Sequence, residues 1–212
     1  LLTKDIKDIK KLGLKTNIIK GNTKPLANVY NSVLYSLDKD VEYLILCHDD
    51  ISISPNKEDF ERSIRIMKEG DYALGGLAGT KECVIKDKNL WHLMNDVKPF
   101  YNASGEVKHY TDKNYDNYFN SKFGPYPERV ILLDGVFLWL DVKKIRDKNI
   151  KFDESCPSPF HFYDLDFCLT INKNSLKMTT LSVKVVHASH GLSDIQNEDW
   201  NKGNEWFKQK WG

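Results

Sequence analysis

The sequence predicts an α/β fold, one domain with a central mixed, mostly parallel sheet flanked by helices. Three observations carry this expectation. Val41 to Ile53, VEYLILCHDDISI, is an apolar run that breaks off into His48, Asp49 and Asp50, as an interior strand does where its carboxyl end meets solvent. Strand-like and helix-like segments alternate on either side of it, the order of a doubly wound sheet. A chain of 212 residues is also long enough for one substantial core, and a single domain spanning 1–212 is the default. Because the first residue is Leu, that domain is also read as a possible fragment of a longer multidomain chain.

Leu2, Ile6 and Ile9 have helical spacing among lysines, with Gly13 as a stop. Thr16 to Lys20 reads as a short strand. Asn22 and Thr23 offer caps and Pro25 suits a first turn, so a helix is predicted from there to Leu37 with Leu26, Tyr30, Val33 and Leu37 as its core stripe. Asn31 falls on the Ala27 and Leu34 side, where a buried amide needs hydrogen-bond partners. A satisfied structural amide and a ligand contact are both open there. After the Val41–Ile53 strand, Ser54-Pro55-Asn56 starts a helix with Phe60, Ile64 and Met67 inward and Gly70 at its end. Tyr72 to Ala78 returns as a strand whose Gly75 and Gly76 permit close backbone approach.

From Thr80 to Pro127 the sequence reads as irregular, aromatic and rich in Asn and Lys. Long loops in compact domains carry function, and their aromatic rings either stack on sugars or seal the loop onto the core. Val130 to Leu133 is a strand that ends in Asp134-Gly135 and resumes as Val136 to Leu140, with Gly135 marking a bulge or a backbone lying near a ligand. A helix follows from about His161 to Lys173. Asp164 and Asp166 sit near its start, where carboxylates favour the helix dipole, but residues two apart point about 200° from one another, so the pair cannot share one face. Met178 to Val186 is a strand that ends in His187, Ser189 and His190, and Asn197 to Trp211 has the aromatic spacing of a packed helix.

Lys and Arg number 31 against 30 Asp and Glu. A net charge of +1 gives no long-range field to gather nucleic acid or an anionic membrane, and neither is expected as a partner. Cys47, Cys83, Cys156 and Cys168 have neither CxxC nor zinc-finger spacing; they read as reduced thiols, two of them in the core, which favours a cytoplasmic setting. No apolar run approaches the ~20 residues of a membrane span, and no integral membrane segment is expected.

Four segments thus deliver polar groups to strand ends or a helix start: His48-Asp49-Asp50, Asp134-Gly135, Asp164 with Asp166, and His187 to His190. Acidic and imidazole groups together suit a divalent cation serving a diphosphate, while a separate carboxylate takes a proton from an attacking hydroxyl.

The ordered set HDDI at 48–51, LLDGVFLWL at 132–140, KFDE at 151–154, FHFYDLDFCL at 160–169 and VVHASHG at 185–191 resembles glycosyltransferases of the GT-A fold. The similarity is closest to StrF-type members related to the family 2 glycosyltransferases, and it covers roughly Pro25 to Gly191. It implies a single GT-A domain that transfers a sugar from a nucleotide-sugar donor, UDP favoured, to a glycan or other hydroxyl acceptor. By the same resemblance Asp50 holds a divalent cation, Mn2+ favoured over Mg2+, and His48 contacts ribose or metal, with Asp49 in the variable middle place of the substrate-facing trio. Asp134 and Gly135 line the donor sugar and acceptor. Asp164 matches the general base of an inverting transfer, and Asp166 a nearby acid that orients the catalytic site. His187 matches a late histidine reaching the metal or diphosphate, with His190 as its competitor for the substrate, and Asn31 shapes the nucleotide pocket.

Two alternatives stand beside this reading. A nucleotidyltransferase or metal-dependent phosphohydrolase on the same sheet would want further carboxylates or a glycine-rich basic loop. A non-catalytic carbohydrate-binding module would grip glycans through the aromatic region alone.

Overall fold

The computed structural model describes residues 10, 12–54, 56–110, 117–188 and 197–212. Two sheets share one core. In the first, the strands β1 (Tyr43–Cys47), β3 (Tyr72–Gly76), β7 (Arg129–Val130), β9 (Phe137–Asp141) and β10 (Lys177–Thr180) lie in the order β1-β9-β3-β10-β7. In the second, β2 (Ile51–Ile53), β4 (Ala78–Thr80), β5 (Ala103–Tyr110), β8 (Leu132–Leu133) and β11 (Val185–His187) lie in the order β2-β11-β5-β4-β8, and β6 (Tyr118–Gly124) pairs with the other side of β5.

Five α-helices, α1 (Leu26–Ser36), α2 (Lys57–Glu69), α3 (Val142–Asp147), α4 (Tyr163–Lys173) and α5 (Glu198–Trp211), and a 3-10 turn at Trp91–Leu93 complete the described chain. Helix α2 begins at Asn56, whose side chain accepts the Glu58 N–H, and closes at Gly70, as its sequence signals predict. It packs on β3, and α4 packs on β8 and β10. Leu74, Leu132, Leu133, Phe137, Leu140 and Phe167 are wholly buried between these layers.

The α/β class with flanking helices is borne out, but the sheet is less parallel than expected. Strand β9 inserts between β1 and β3 and runs antiparallel to both, so the one parallel ladder of the first sheet joins β3 to β10. In the second, only β11 with β5 is parallel. The apolar run at 41–53 is also not an interior strand: β1 has β9 as its neighbour, and Ile51–Ile53 belongs to the other sheet. The turn His48–Asp50 bridges the two sheets.

The same device occurs twice more. Leu77 carries the chain from β3 into β4, and residues 181–184 carry it from β10 into β11, so the strands expected at 72–78 and 178–186 each split between sheets. Residues 16–20 form no strand; Ile18 and Ile19 are consecutive and both exposed, so no face of that segment can be buried by a two-residue period. Expected as irregular, 80–127 contains the longest hairpin of the described chain, β5 with β6. Its polarity follows from β6 lying at an edge with most side chains in solvent. On α1 the buried face is Ala27, Tyr30, Asn31 and Leu34, so of the predicted stripe Tyr30 is fully inward while Leu26 and Leu37 are partly buried, and the helix turns the Asn31 amide toward 152–154. The predicted helix before Gly13 lies largely outside the described residues. Among those described, no helix is long and apolar enough to cross a membrane.

Candidate active site

The crossing from β1 to β2 sets the site. His48 N–H donates to Val136 O at 3.1 Å in the first sheet's loop, and Asp50 O accepts the Ala188 N–H at 2.8 Å beside the second. These two bonds fix the turn at both ends, and pairing of Ile51 with His187 brings the end of β11 alongside it. His187 Nε2 lies 3.2 Å from Asp50 Oδ2, and His48 Nδ1 lies 3.9 Å from Asp50 Oδ1. One ligand atom from each of His48, Asp50 and His187 falls within 4.8 Å of the others.

Burial alone would raise the Asp50 carboxyl, but His187 and then His48 outweigh it and hold the group below the usual carboxylate range. Burial pushes the His48 imidazole down, partly offset by Asp134 and Asp50. An ionised carboxylate and a neutral imidazole are the forms that bind a cation. His187 Nε2 is also buried without a well-directed hydrogen bond, although Asp50 is close. A buried ring nitrogen whose one near neighbour is a carboxylate oxygen, set among further nitrogen and oxygen donors, fits a metal ion. Asp49, in the same turn, is exposed.

Asp134 and Gly135 lie in the turn between β8 and β9. Asp134 Oδ2 accepts the Trp91 Nε1–H at 2.7 Å and Oδ1 accepts the Val136 N–H at 3.0 Å. The close approach foreseen at Gly135 is made by helix α4: a Cβ there would fall 2.3 Å from Tyr163 Oη and 2.9 Å from Asp164 Cβ. Asp164 Oδ2 accepts the Gly135 N–H at 2.8 Å. Burial, and then the charge of Asp134, push the Asp164 carboxyl up to about 7 against the pull of the Leu165 and Gly135 amides. A carboxyl held near neutrality beside a second acid is suited to accept a proton.

Helix α4 enters at Phe162, which holds φ at +65°, a left-handed value that costs a bulky residue ~1–3 kcal/mol. Phe162 is buried between Trp200 and Phe207 of α5, and a Cβ on Gly203 would sit 2.6 Å from its ring. The C-terminal helix thereby holds the kink that presents Tyr163 and Asp164.

Two candidates are not brought to this rim. Asp166 leaves α4 in another direction, accepting the Trp211 Nε1–H at 2.8 Å and pairing with Lys210 at 2.6 Å. Asn31 has its amide occupied by the 152–154 segment: Nδ2 donates to Phe152 O at 2.9 Å and Glu154 Oε1 at 2.8 Å, and Oδ1 accepts the Phe152 N–H at 2.9 Å. Asn31 thus has the bonding of a structural amide, whereas Asp166 pairs through Oδ1 alone and its buried Oδ2 has no hydrogen-bond partner. His190 lies outside the described residues.

Sequence reasoning gave no role to Tyr163 or His109, and to Trp91 and His92 only the one shared by the aromatic loop, stacking on sugars or sealing the loop onto the core. Tyr163 meets His48 Nε2 at 2.9 Å. His109 stands opposite His187 in the β5–β11 ladder, ring centres 5.7 Å apart, with Phe119 stacked on it. His92 stacks on Phe100, which in turn stacks on Phe123. The aromatic composition of 80–127 was the available signal, but the parallel pairing that brings His109 to His187 leaves none. All four cysteines are free thiols, Cys156 and Cys168 buried.

The site of this α/β domain thus places three residues that could hold a cation at the sheet ends, linked through Tyr163 and Gly135 to the carboxyl of Asp164. Residues 6–211 match the model of the glycosyltransferase-like family, and the chain belongs to that family, which bears out the resemblance read from the HDDI, FDE and YDLD motifs. No curated protein matches it. Among solved structures, S. aureus TarS 1–349 aligns over 88% of this chain and 48% of that one, at 12% identity and a TM-score of 0.44. The chain spans about half the length of that structure.

Proposed function

We propose that this chain is a metal-dependent glycosyltransferase that moves a sugar from a nucleotide-diphosphate donor, UDP favoured, to a hydroxyl acceptor with inversion. The observation that carries the reading is the juxtaposition of two unlike sites: the His48, Asp50 and His187 donor set, and the near-neutral carboxyl of Asp164. Asp134 couples them, its charge acting on both His48 and Asp164.

His48, Asp50 and His187 would hold a divalent cation, and two imidazole donors favour Mn2+ over Mg2+. When bound, the cation neutralises charge on the departing diphosphate. Asp164 takes the proton of the acceptor hydroxyl as its oxygen bonds to the anomeric carbon, the bond from that carbon to the diphosphate breaks, and the nucleoside diphosphate leaves with the electron pair. The Gly135 amide keeps the carboxylate aimed. Asp49, exposed in the same turn, faces the substrate side, and the half-buried rings of His92 and His109 are the aromatic surface open to the sugars.

A thermal-shift panel of UDP, GDP and CMP, each with and without Mn2+, tests the reading. Stabilisation by one nucleotide only when Mn2+ is present is expected. Stabilisation by glycans without cation or nucleotide would favour a binding module instead.

A further inference from the structure

We propose that Tyr163 is a positioning residue for His48, holding its imidazole as the Nε2–H tautomer so that Nδ1 stays bare on the Asp50 side. The proposal rests on the metal-site reading above and adds the group that orients one of its ligands.

Hydrogen-bond accounting carries it. Tyr163 is buried, and its hydroxyl donates to Gly135 O at 3.1 Å. A carbonyl only accepts, so the single hydroxyl proton is committed there. His48 Nε2, 2.9 Å from the same oxygen, must then be the donor. The Tyr30 side chain on α1 is a further partner of this hydroxyl, on the accepting side, which leaves Nε2 the donor all the same. With Nε2 protonated, the neutral ring leaves its lone pair on Nδ1, the nitrogen 3.9 Å from Asp50 Oδ1. Ligating histidines are commonly fixed this way by a partner on the other ring nitrogen, and loss of such a partner weakens metal binding ~10–100-fold. Gly135 belongs to the same arrangement, because any Cβ would occupy the seat of the Tyr163 hydroxyl.

The test is long-range 1H–15N correlation spectroscopy of the metal-free protein at pH 8, with His48 assigned by loss of its signals in His48→Gln. Expected is a protonated Nε2 and a bare Nδ1 in the parent chain, a substantial Nδ1–H population in Tyr163→Phe, and ~10–100-fold weaker Mn2+ binding by that variant in calorimetry with UDP present. A parent His48 protonated on Nδ1 would overturn the proposal, as would Tyr163→Phe with an unaltered tautomer or unaltered Mn2+ affinity. If Tyr163→Phe does not fold, the parent spectrum decides. A parent chain with the expected tautomer that binds no Mn2+ contradicts the metal site and leaves the tautomer assignment standing, so the two failures are distinct.

Discussion

Asp164 Oδ2 accepts the backbone N–H of Gly135 at 2.8 Å, which ties the candidate base to the turn after β8 and fixes where its free lone pairs point. Burial keeps the carboxyl protonated in the folded chain up to about pH 7, whereas the unfolded chain releases the proton near 3.8. Turnover should therefore rise with pH up to about 7 and then level. The stability sign is opposite: the folded chain binds this proton more tightly, so its contribution is fully present below about pH 4 and is lost as pH rises to about 7. Asp164→Asn has no such loss. It should lower turnover ~100–10,000-fold while raising stability at pH 8 by ~1–3 kcal/mol relative to the parent, read by rate assays and denaturant melts.

Asp166, two residues on, should behave differently. Its Oδ1 serves both Trp211 and Lys210, and burial pushes it up despite that ammonium. Asp166→Asn is expected to shift the melting temperature and leave turnover within a few-fold of the parent. A loss of turnover as deep as that of Asp164→Asn, in protein of normal stability, would return Asp166 to the catalytic group.

Asn31→Ala separates an architectural amide from a nucleotide contact. Three bonds to 152–154 disappear, and the Phe152 backbone groups lose their partner, at a cost of about 2–3 kcal/mol. Cation-dependent nucleotide affinity of the folded fraction should be unchanged, as calorimetry below the melting transition can show.

Gly203→Ala addresses the brace on Phe162. The new methyl would stand 2.6 Å from the Phe162 ring and 2.7 Å from Ser158 Cβ, and relieving that contact means moving α5 or the kink that starts α4. Destabilisation of ~1–3 kcal/mol is expected, with turnover reduced further than stability alone explains because Tyr163 and Asp164 follow the kink.

Much of this was legible in the sequence for identifiable reasons. Capping chemistry at Asn56 and Gly70 is local, so α2 is found where its residues signal it. The polar strand ends at His48–Asp50 and His187 also follow from a local contrast between apolar runs and what ends them, and they meet in space. Sheet membership is not local. Nothing in YLILC announces that the chain leaves one sheet at Cys47 and enters another at Ile51, nor that β9 will separate β1 from β3. The direction of a side chain on a helix is equally hidden until its neighbours are known. Asp164 and Asp166 look alike in YDLD, and only the positions of Gly135 and Lys210 tell them apart.

The central claim is that His48, Asp50 and His187 hold the cation that serves the diphosphate. The most direct measurement is an anomalous difference map from crystals grown with Mn2+ and UDP, compared with crystals of Asp50→Ala. One peak among the Asp50 carboxylate and the two imidazoles, bridged to the diphosphate and missing in Asp50→Ala, is the expected result. A peak elsewhere, or UDP bound in the same way without any metal, would contradict it.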